Sequence, residues 1–254
     1  PDDVLTLLPM VDGGPGSAQA ICPERIASRE AIQGRGPLGQ VREVDLVRLV
    51  PGPQRAGSRR PGEGRTWFLD AARLLALPAD PDEGTQEALQ GSTYGLGQAI
   101  GAALSRTHSS DTLLVGLSRS AVHDGGAGAL DALGGVAAAI DLLAGRSLGL
   151  VLADDIALGG MNGAGAALAD VTSLGPRQAQ ELDRRACAAA TEAVNATSAI
   201  RKSSSGGQRT LPVVSVLDGA QMSSASAAAD SGGMGRLGAS VWGTGAAGGS
   251  AMAL

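Results

Sequence analysis

Residues 111–117 (DTLLVGL) form a continuous apolar run that leads at once into a glycine-rich stretch and then into the helix-forming segment 129–143. A continuous apolar run of this length is typical of a strand buried on both faces of a sheet. Strand, loop and helix patterns alternate along much of the chain. The sequence therefore predicts an α/β fold, with a mixed or largely parallel sheet and flanking helices.

The same periodicities predict the other elements. Further strands are expected at residues 4–10, 41–50, 66–69, 148–153 and 212–217, those at 41–50 and 148–153 being half-exposed and buried, respectively. Helices are expected at residues 94–106, 129–143 and 176–194, the first with Ser92 and Thr93 as candidate caps. Residues 51–64 and 78–84 are interpreted as irregular, and residues 200–209 and 221–236 as flexible loops or poorly packed helices.

Composition narrows the class of protein. The chain has 39 glycines in 254 residues without a Gly-X-Y period, and 43% of it is hydrophobic, which excludes a collagen-like or wholly disordered polymer. A net charge of −5 with two Trp, one Tyr and one Phe argues against nucleic-acid binding. We expect no membrane span and no signal peptide, a cytoplasmic location, and free thiols at Cys22 and Cys187.

The loop that follows the strand at 111–117 is the first candidate site. A buried strand here delivers Ser118, Arg119, Ser120 and Asp124 onto a turn before a helix, where unpaired N–H groups of Gly125 and Gly126 can bind an anion. Arg119 adds a charged fork for phosphate or carboxylate. The alternative is structural: the glycines allow a tight turn and Asp124 caps the helix.

Two further segments follow predicted strands. In residues 12–17 (DGGPGS), Asp12 is a candidate to accept hydrogen bonds from a substrate hydroxyl or to hold a metal-bound phosphate. Gly13 and Gly14 would allow the backbone to approach a ligand; an Asx-turn is the alternative. Asp154 and Asp155 lie at the expected carboxyl end of the strand at 148–153, where open α/β sheets bind ligands. One of them is a candidate general base or metal ligand, and alternation along a strand predicts that only one faces the site.

Several familiar motifs are absent or misplaced. Residues 233–238 satisfy G-x-G-x-x-G but follow a Ser/Ala-rich stretch, so a dinucleotide site is not indicated. The chain's only lysine is Lys202, which no glycine precedes, and this excludes a P-loop. His123 and Asp124 lie near Ser118 and Ser120 without a G-x-S-x-G elbow, which argues against a hydrolase triad.

Taken in order, these segments resemble the type I glycerate kinase family. The resemblance rests on residues 9–16 (PMVDGGPG), 36–39 (GPLG), 67–78, 92–97 (STYGLG), 114–128, 155–164 and 243–249 (GTGAAGG). It implies a two-domain α/β enzyme that transfers the γ-phosphoryl group of ATP, with Mg²⁺, to D-glycerate in a cleft between the domains. Residues 1–40 would belong to the edge of a first, incomplete Rossmann-like domain, and residues 41–254 to the inserted main α/β domain.

The resemblance also assigns residues. It places Asp12, Gly13 and Gly14 at the substrate cleft, makes residues 118–126 an anion-binding loop, and matches Asp155 to an acidic cleft residue. Asp12 and Asp155 are the predicted catalytic residues, which would orient the hydroxy acid or the metal. Its implied partners are a hydroxy acid and a nucleotide, with no nucleic acid and no membrane; the oligomeric state is left open.

The chain departs from the family pattern at several positions. It has no match to the family's Ser-Phe-Lys-Gly segment or to its last acidic-glycine segment. Ser118-Arg119 replaces a double glycine, His123 replaces Asn, and Ala153 stands where the family has Asp. Since the chain begins at Pro1 and lacks these segments, it is interpreted either as a fragment or as a reduced homologue. The alternative function is a catalytically inactive module that binds anions or small acids; an oligomerisation partner with Ala/Gly helix faces is a third.

Overall fold

A five-stranded mixed sheet organises the protein in a computed structural model that describes residues 10–51, 64–203 and 243–254. The strands occur in chain order across the sheet: β1 (Ile26–Arg35), β2 (Val41–Leu49), β3 (Thr66–Leu69), β4 (Thr112–Leu117) and β5 (Ser147–Leu152). The pairs β1–β2 and β2–β3 are antiparallel, whereas β3–β4 and β4–β5 are parallel. The predicted α/β class with a mixed sheet is confirmed.

Eight helices complete the described parts of the chain. They are α1 (Ser17–Ala20), α2 (Pro81–Gln90), α3 (Tyr94–Arg106), α4 (Ala127–Ala132), α5 (Gly135–Leu143), α6 (Ala164–Val171), α7 (Pro176–Ser203) and α8 (Ser250–Ala253). Short 3₁₀ turns lie at Pro23–Arg25, Ala71–Arg73 and Ala246–Gly249. Within these parts, no helix is both long enough and apolar enough to cross a bilayer.

The two faces of the sheet are covered differently. Alternate residues of β3 and β4, among them Leu69, Val115 and Leu117, are buried in the main core against α3, α4 and α5. The intervening residues form a smaller cluster in which Phe68 is buried with Ala18 from α1. Strand alternation thus supplies two cores, and the segment around α1 covers the face that the large helices leave open.

Most predicted strands are confirmed. The strands expected at 41–50, 66–69, 111–117 and 148–153 are β2, β3, β4 and β5 to within a residue or two. The expectation that the last of these is buried is wrong, because Ser147 is exposed and the other residues of β5 are partly exposed; among the described residues β5 pairs only with β4. β1 was not predicted. The strand expected at 212–217, and nearly all of that at 4–10, lie outside the described residues.

The helix predictions are partly wrong. The helix at 94–106 is confirmed as α3. Thr93 occupies the N-cap position without a side-chain capping hydrogen bond, and the Ser92 hydroxyl accepts from the Tyr94 N–H. Residues 78–84 are not irregular throughout, because α2 begins at Pro81 and the Asp80 side chain accepts a hydrogen bond from the Asp82 N–H. The single helix expected at 129–143 is two helices, broken where Gly134 and Gly135 both adopt positive φ.

Two other helical segments exceed expectation. The helix predicted at 176–194 continues to Ser203 as α7, and α6 was not predicted.

The boundary expected after residue 40 falls in the turn between β1 and β2, which pair with each other from Ile26↔Leu49 to Arg35↔Val41. The strands on either side of that boundary therefore share one sheet, and the two-domain division stays a prediction.

Close packing of α3 against α4 predicts opposite effects for two glycines of α3. A Cβ on Gly97 would lie 2.2 Å from the Ala129 carbonyl oxygen, whereas a Cβ on Gly101 would lie 3.7 Å from its nearest neighbour, Leu133. We expect Gly97→Ala to lower the free energy of unfolding by about 2 kcal/mol through steric overlap. Gly101→Ala should raise it by about 0.5–1 kcal/mol through helix propensity.

Urea denaturation of both variants measures this difference. Equal stability changes in the two variants would contradict the close approach of α3 to α4.

Candidate functional site

Loops that follow the three parallel strands converge at one edge of the sheet. Asp70 follows β3, residues 118–126 follow β4, and residues 153–163 follow β5. Parallel strands place their carboxyl ends side by side, and this is the edge at which open α/β sheets bind ligands. The segment 12–17 also reaches this edge.

Residues 12–17 cross the ends of β4 and β5 at very short range. A Cβ on Gly13 would lie 2.3 Å from the Val151 carbonyl oxygen, and a Cβ on Gly116 would lie 2.7 Å from the Gly13 carbonyl oxygen. Gly13 also has φ +93°, so both space and conformation require glycine there. The predicted close approach at this loop therefore exists, but it is made to the sheet.

Asp12 is exposed, and its side chain organises its own loop. Its Oδ1 accepts hydrogen bonds from the Gly14 N–H at 2.8 Å and from the Ser17 hydroxyl at 3.3 Å. The first of these bonds is the Asx-turn that the sequence left open as the alternative. A substrate role for Asp12, Gly13 and Gly14 stays a prediction.

Asp70, which follows β3, binds the backbone at the end of the segment 12–17 and the start of α1. It was assigned no role by sequence reasoning. It is completely buried, and its Oδ2 accepts hydrogen bonds from the N–H groups of Gly16 and Ala18, at 3.1 and 3.2 Å. Oδ1 is buried without a hydrogen-bond partner in the described residues. Burial raises the pKa of Asp70 in spite of those two hydrogen bonds. The available signal was an aspartate placed directly after a predicted strand.

The pKa of Asp70 predicts how stability varies with pH. Because burial raises this pKa above its ordinary value of 3.8, the contribution of Asp70 is full below that value and is lost as pH rises through the folded-state pKa. We expect the free energy of unfolding of the wild type, measured relative to Asp70→Asn, to fall as pH rises above 4 toward 7. Urea denaturation across this range measures the difference, and a flat or rising difference would contradict the buried carboxyl.

Asp111 provides a control of opposite sign. Burial by itself would raise the pKa of Asp111. Hydrogen bonds from the Arg65 N–H, the His108 N–H and the Trp67 indole lower it by more, so the pKa lies below its ordinary value of 3.8. Its contribution is full above the unfolded-state pKa and is lost as pH falls through the folded-state pKa. The stability of the wild type relative to Asp111→Asn should therefore change only at acid pH, below about 4.

Asp124 is a hydrogen-bond hub that joins the N-termini of α3 and α4. Its carboxylate accepts from the Thr93 N–H and hydroxyl at 2.9 and 2.9 Å and from the N–H groups of Gly126 and Gly128 at 3.0 and 3.2 Å. The Thr93 hydroxyl in turn accepts from the Ala129 N–H. These bonds match the structural alternative, in which Asp124 caps the helix.

The predicted anion donors of this loop are largely engaged within the protein. The Gly125 N–H donates to the Gly248 carbonyl at 2.8 Å, and the Gly126 N–H donates to Asp124. A Cβ on Gly125 would lie 2.2 Å from the Ala186 carbonyl of α7, so the loop is pressed against that helix. Ser120 is buried, and its hydroxyl accepts from the Val122 N–H. Their assignment to anion binding stays a prediction.

Loss of the Asp124 carboxylate should lower stability. We expect Asp124→Ala to lower the free energy of unfolding by about 2 kcal/mol, because it leaves several N–H groups and the Thr93 hydroxyl without their acceptor. Asp131→Ala is the matched control, since Asp131 is an exposed aspartate of α4, and it should change stability by less than about 0.5 kcal/mol. Equal stability of the two variants in chemical denaturation would contradict the structural role of Asp124.

The segment 243–249 bridges the loops after β4 and β5. The Ala247 N–H donates to the Ser118 carbonyl at 2.8 Å, and the Gly243 N–H donates to the Asp155 carbonyl at 2.8 Å. Ala247 is buried and has φ +50°, a left-handed conformation that non-glycine residues seldom adopt. This strained backbone holds the two loops at a fixed separation.

An open cavity of about 460 Å³ lies beside these loops. It is lined by Arg119, Asp154, Asp155, Ile156, Ala157, Gly159, Gly160, Met161, Asn162 and Gly163. Of the predicted site residues, Arg119 and Asp155 are brought together here; Asp12, Gly13, Gly14, Ser118, Ser120, Asp124, Gly125 and Gly126 lie outside its lining.

The expectation that only one of Asp154 and Asp155 faces the site is wrong. Both line the cavity, because β5 ends at Leu152 and the two residues lie in the following loop, where strand alternation no longer applies. Asp154 Oδ2 lies 2.7 Å from Arg119 Nε, and Asp155 is exposed.

His123 packs behind the site and takes no part in the cavity. Its side chain is 1% exposed, and its Nε2 lies 3.3 Å from Asp183 Oδ1 on α7. Cys187 is a free thiol one turn further along α7, and burial, together with the nearby Asp183 charge, raises its pKa to about 11. The thiol is therefore protonated at neutral pH and is not an activated nucleophile. Cys22 is also a free thiol.

The fold and this edge define an α/β protein with a cavity at the carboxyl ends of its parallel strands. The sequence model described as the glycerate kinase family matches residues 1–254. The chain belongs to the glycerate kinase family.

Named relatives are similar over about half of the chain. It is 34% identical to the glycerate kinase of Bacillus subtilis (strain 168) over 135 residues, which are 50% of this chain and 30% of the relative. It is 28% identical to the glycerate 2-kinase of Escherichia coli (strain K12) over 134 residues, which are 53% of this chain and 31% of that relative. The matched part thus spans less than a third of either relative.

A solved structure shares the fold over nearly the whole chain. A crystal structure of a protein described as glycerate kinase 2 from Salmonella typhimurium LT2 superposes with a TM-score of 0.60 at 20% identity, covering 97% of this chain and 59% of that one. The likeness supports the α/β fold with a mixed sheet, and the two-domain division stays a prediction.

Proposed function

We propose that the protein takes part in transfer of the γ-phosphoryl group of ATP, with Mg²⁺, to D-glycerate. Membership of the glycerate kinase family supports a kinase-like function. The observation that carries the proposal is the cavity after β4 and β5, where a guanidinium and an exposed carboxylate lie together. Phosphoryl transfer needs chiefly positioning and charge neutralisation, which these groups provide.

Asp155 is proposed as the catalytic carboxylate of the cavity. It is exposed, and within the described parts of the chain its side chain makes no hydrogen bond or ion pair, so its oxygens are available to a ligand at the cavity. From this position it can hold a metal ion or orient the attacking hydroxyl group of the acid. Asp12 is proposed to border the substrate from the neighbouring loop, with Gly13 and Gly14.

The donor set suits Mg²⁺ shared with a nucleotide. Among the described residues no group of three or more His, Cys, Asp and Glu side chains could form an all-protein metal site. Mg²⁺ in kinases is usually bound by one or two carboxylates together with substrate phosphates, and Asp155 supplies one such carboxylate. When bound, the ion neutralises charge that develops on the transferred phosphoryl group.

Arg119 and the glycine-rich wall are proposed to bind the anionic parts of the ligands. Gly159, Gly160 and Gly163 line the cavity, and a Cβ on Gly160 would meet open space, so the backbone there is accessible. A guanidinium is a strong donor to phosphate or carboxylate oxygens. Ser118, which adjoins Arg119 and is partly exposed, is proposed as an additional donor.

Release of ADP tests this proposal. The complete gene product that contains this chain, supplied with D-glycerate, ATP and Mg²⁺, should release ADP in a glycerate-dependent manner. We expect Asp155→Asn to lower kcat/KM at least about 100-fold, because the carboxylate is lost where charge develops. Asp170→Asn, an exposed aspartate of α6 outside the cavity lining, is the matched control and should retain wild-type activity.

The rival function is a binding module without turnover. It is favoured by Ala153 at a position where the family pattern has Asp, since the loss of a carboxylate removes catalytic capacity and leaves the cavity able to bind an anion. Absence of glycerate-dependent ADP release, combined with a raised melting temperature in D-glycerate, would select the module over the kinase. Equal activity of Asp155→Asn and Asp170→Asn would contradict the role of Asp155.

A further inference from the structure

We infer that Arg119 is an anion-binding residue and that Asp154 is the residue that positions it. The ligand would present a carboxylate or phosphoryl oxyanion; naming that ligand as D-glycerate or a nucleotide rests on the proposed function.

Strand register brings the two residues together. β4 and β5 are parallel with Leu117 paired to Leu152, and Arg119 and Asp154 each lie two residues beyond these partners. The pair therefore spans adjacent strand ends at the cavity rim, and Arg119 Nε donates to Asp154 Oδ2 at 2.7 Å. Because the two strands end side by side, Arg119 reaches Asp154 directly from the first residues of its loop.

The Asp154 carboxylate is held on both oxygens. Oδ1 accepts the Ile156 N–H at 2.9 Å while Oδ2 accepts from Arg119, and the side chain is only 15% exposed. Ion pairs between fully exposed side chains are commonly mobile and weak. Asp154 differs from these, because its orientation is fixed by the backbone of its own loop and it can fix the guanidinium in turn.

The guanidinium retains donors for a ligand. Arginine has five N–H donors, and Asp154 engages the one on Nε. Within the described parts of the chain Arg119 Nη1 and Nη2 have no hydrogen-bond partner, the side chain is 43% exposed, and it lines the cavity. Two terminal nitrogens of a fixed, planar fork match the two oxygens of a carboxylate or phosphoryl group.

Isothermal titration calorimetry with three probes tests the role of Arg119. D-glycerate, ADP and inorganic phosphate are each titrated into the wild type and into Arg119→Gln, with glycerol as the neutral control. We expect Arg119→Gln to weaken the binding of at least one of the three anions about tenfold or more, since it removes the charged, forked guanidinium group. Arg119→Lys, which keeps the charge but not the fork, should recover only part of this loss.

The probe whose affinity falls in Arg119→Gln identifies the anion that Arg119 binds. A loss confined to D-glycerate assigns Arg119 to the carboxylate of the acid, and a loss for ADP assigns it to a nucleotide phosphate. A loss for inorganic phosphate alone upholds the anion site even if no kinase activity is found, which separates this inference from the proposed function. Unchanged affinity for all three anions in a folded Arg119→Gln variant, including the case in which none of them binds, overturns it.

The positioning role of Asp154 is tested with Asp154→Ala in two backgrounds. Removal of a negative charge beside the site would by itself favour anion binding, whereas loss of the contact that orients the guanidinium should weaken it. We expect Asp154→Ala to weaken binding of the affected anion at least about threefold when Arg119 is present, and to cause no further loss in the Arg119→Gln background. Unchanged or tighter anion binding by Asp154→Ala with Arg119 present would show that Asp154 does not position Arg119.

Discussion

In-register parallel pairing of β3, β4 and β5 is the constraint on which the candidate site depends. The register Leu117↔Leu152 brings the loop that carries Arg119 beside the loop that carries Asp154 and Asp155. A slip of one residue in β5 would reverse its faces and separate these side chains. The segment 243–249 reinforces the arrangement with hydrogen bonds to both loops.

Glycines around this edge form two groups, one packed against other parts of the protein and one lining the cavity. Gly13 and Gly116 permit the loop at 12–17 to lie against the sheet, and Gly125 permits the loop after β4 to lie against α7. The glycines that line the cavity are instead those of the loop after β5, among them Gly159, Gly160 and Gly163. These glycines therefore meet two separate demands at the same edge: close packing of the loops and an accessible backbone at the cavity.

Strong local patterns made much of the fold predictable from sequence. The run at 111–117 and the 3.6-residue periodicity at 94–106 each correspond to an observed element. β1 was missed because most of its residues are exposed or half-exposed, so it has little apolar patterning, and its pairing with β2 is a tertiary property. The break at Gly134 and Gly135 was missed because apolar periodicity continues across it.

The site was less predictable than the fold, because hydrogen-bond partners are not encoded by local spacing. Asp124 was recognised as a possible cap for the helix that follows it, but local spacing does not show that Asp124 also accepts hydrogen bonds from Thr93 at the start of α3, or that Asp70 is buried beneath the loop at 12–17. The sequence did bring forward Arg119 and Asp155, which share the cavity. Their proximity depends on where β5 ends, and strand ends are poorly defined by sequence patterns.

A crystal structure of the protein with D-glycerate bound tests the central claim most directly. The account predicts the carboxylate or a hydroxyl group of the acid within hydrogen-bonding distance of the Arg119 guanidinium, in the cavity that Asp155 also lines. An acid bound instead at the turn formed by Gly125 and Gly126, away from Arg119 and Asp155, would contradict it.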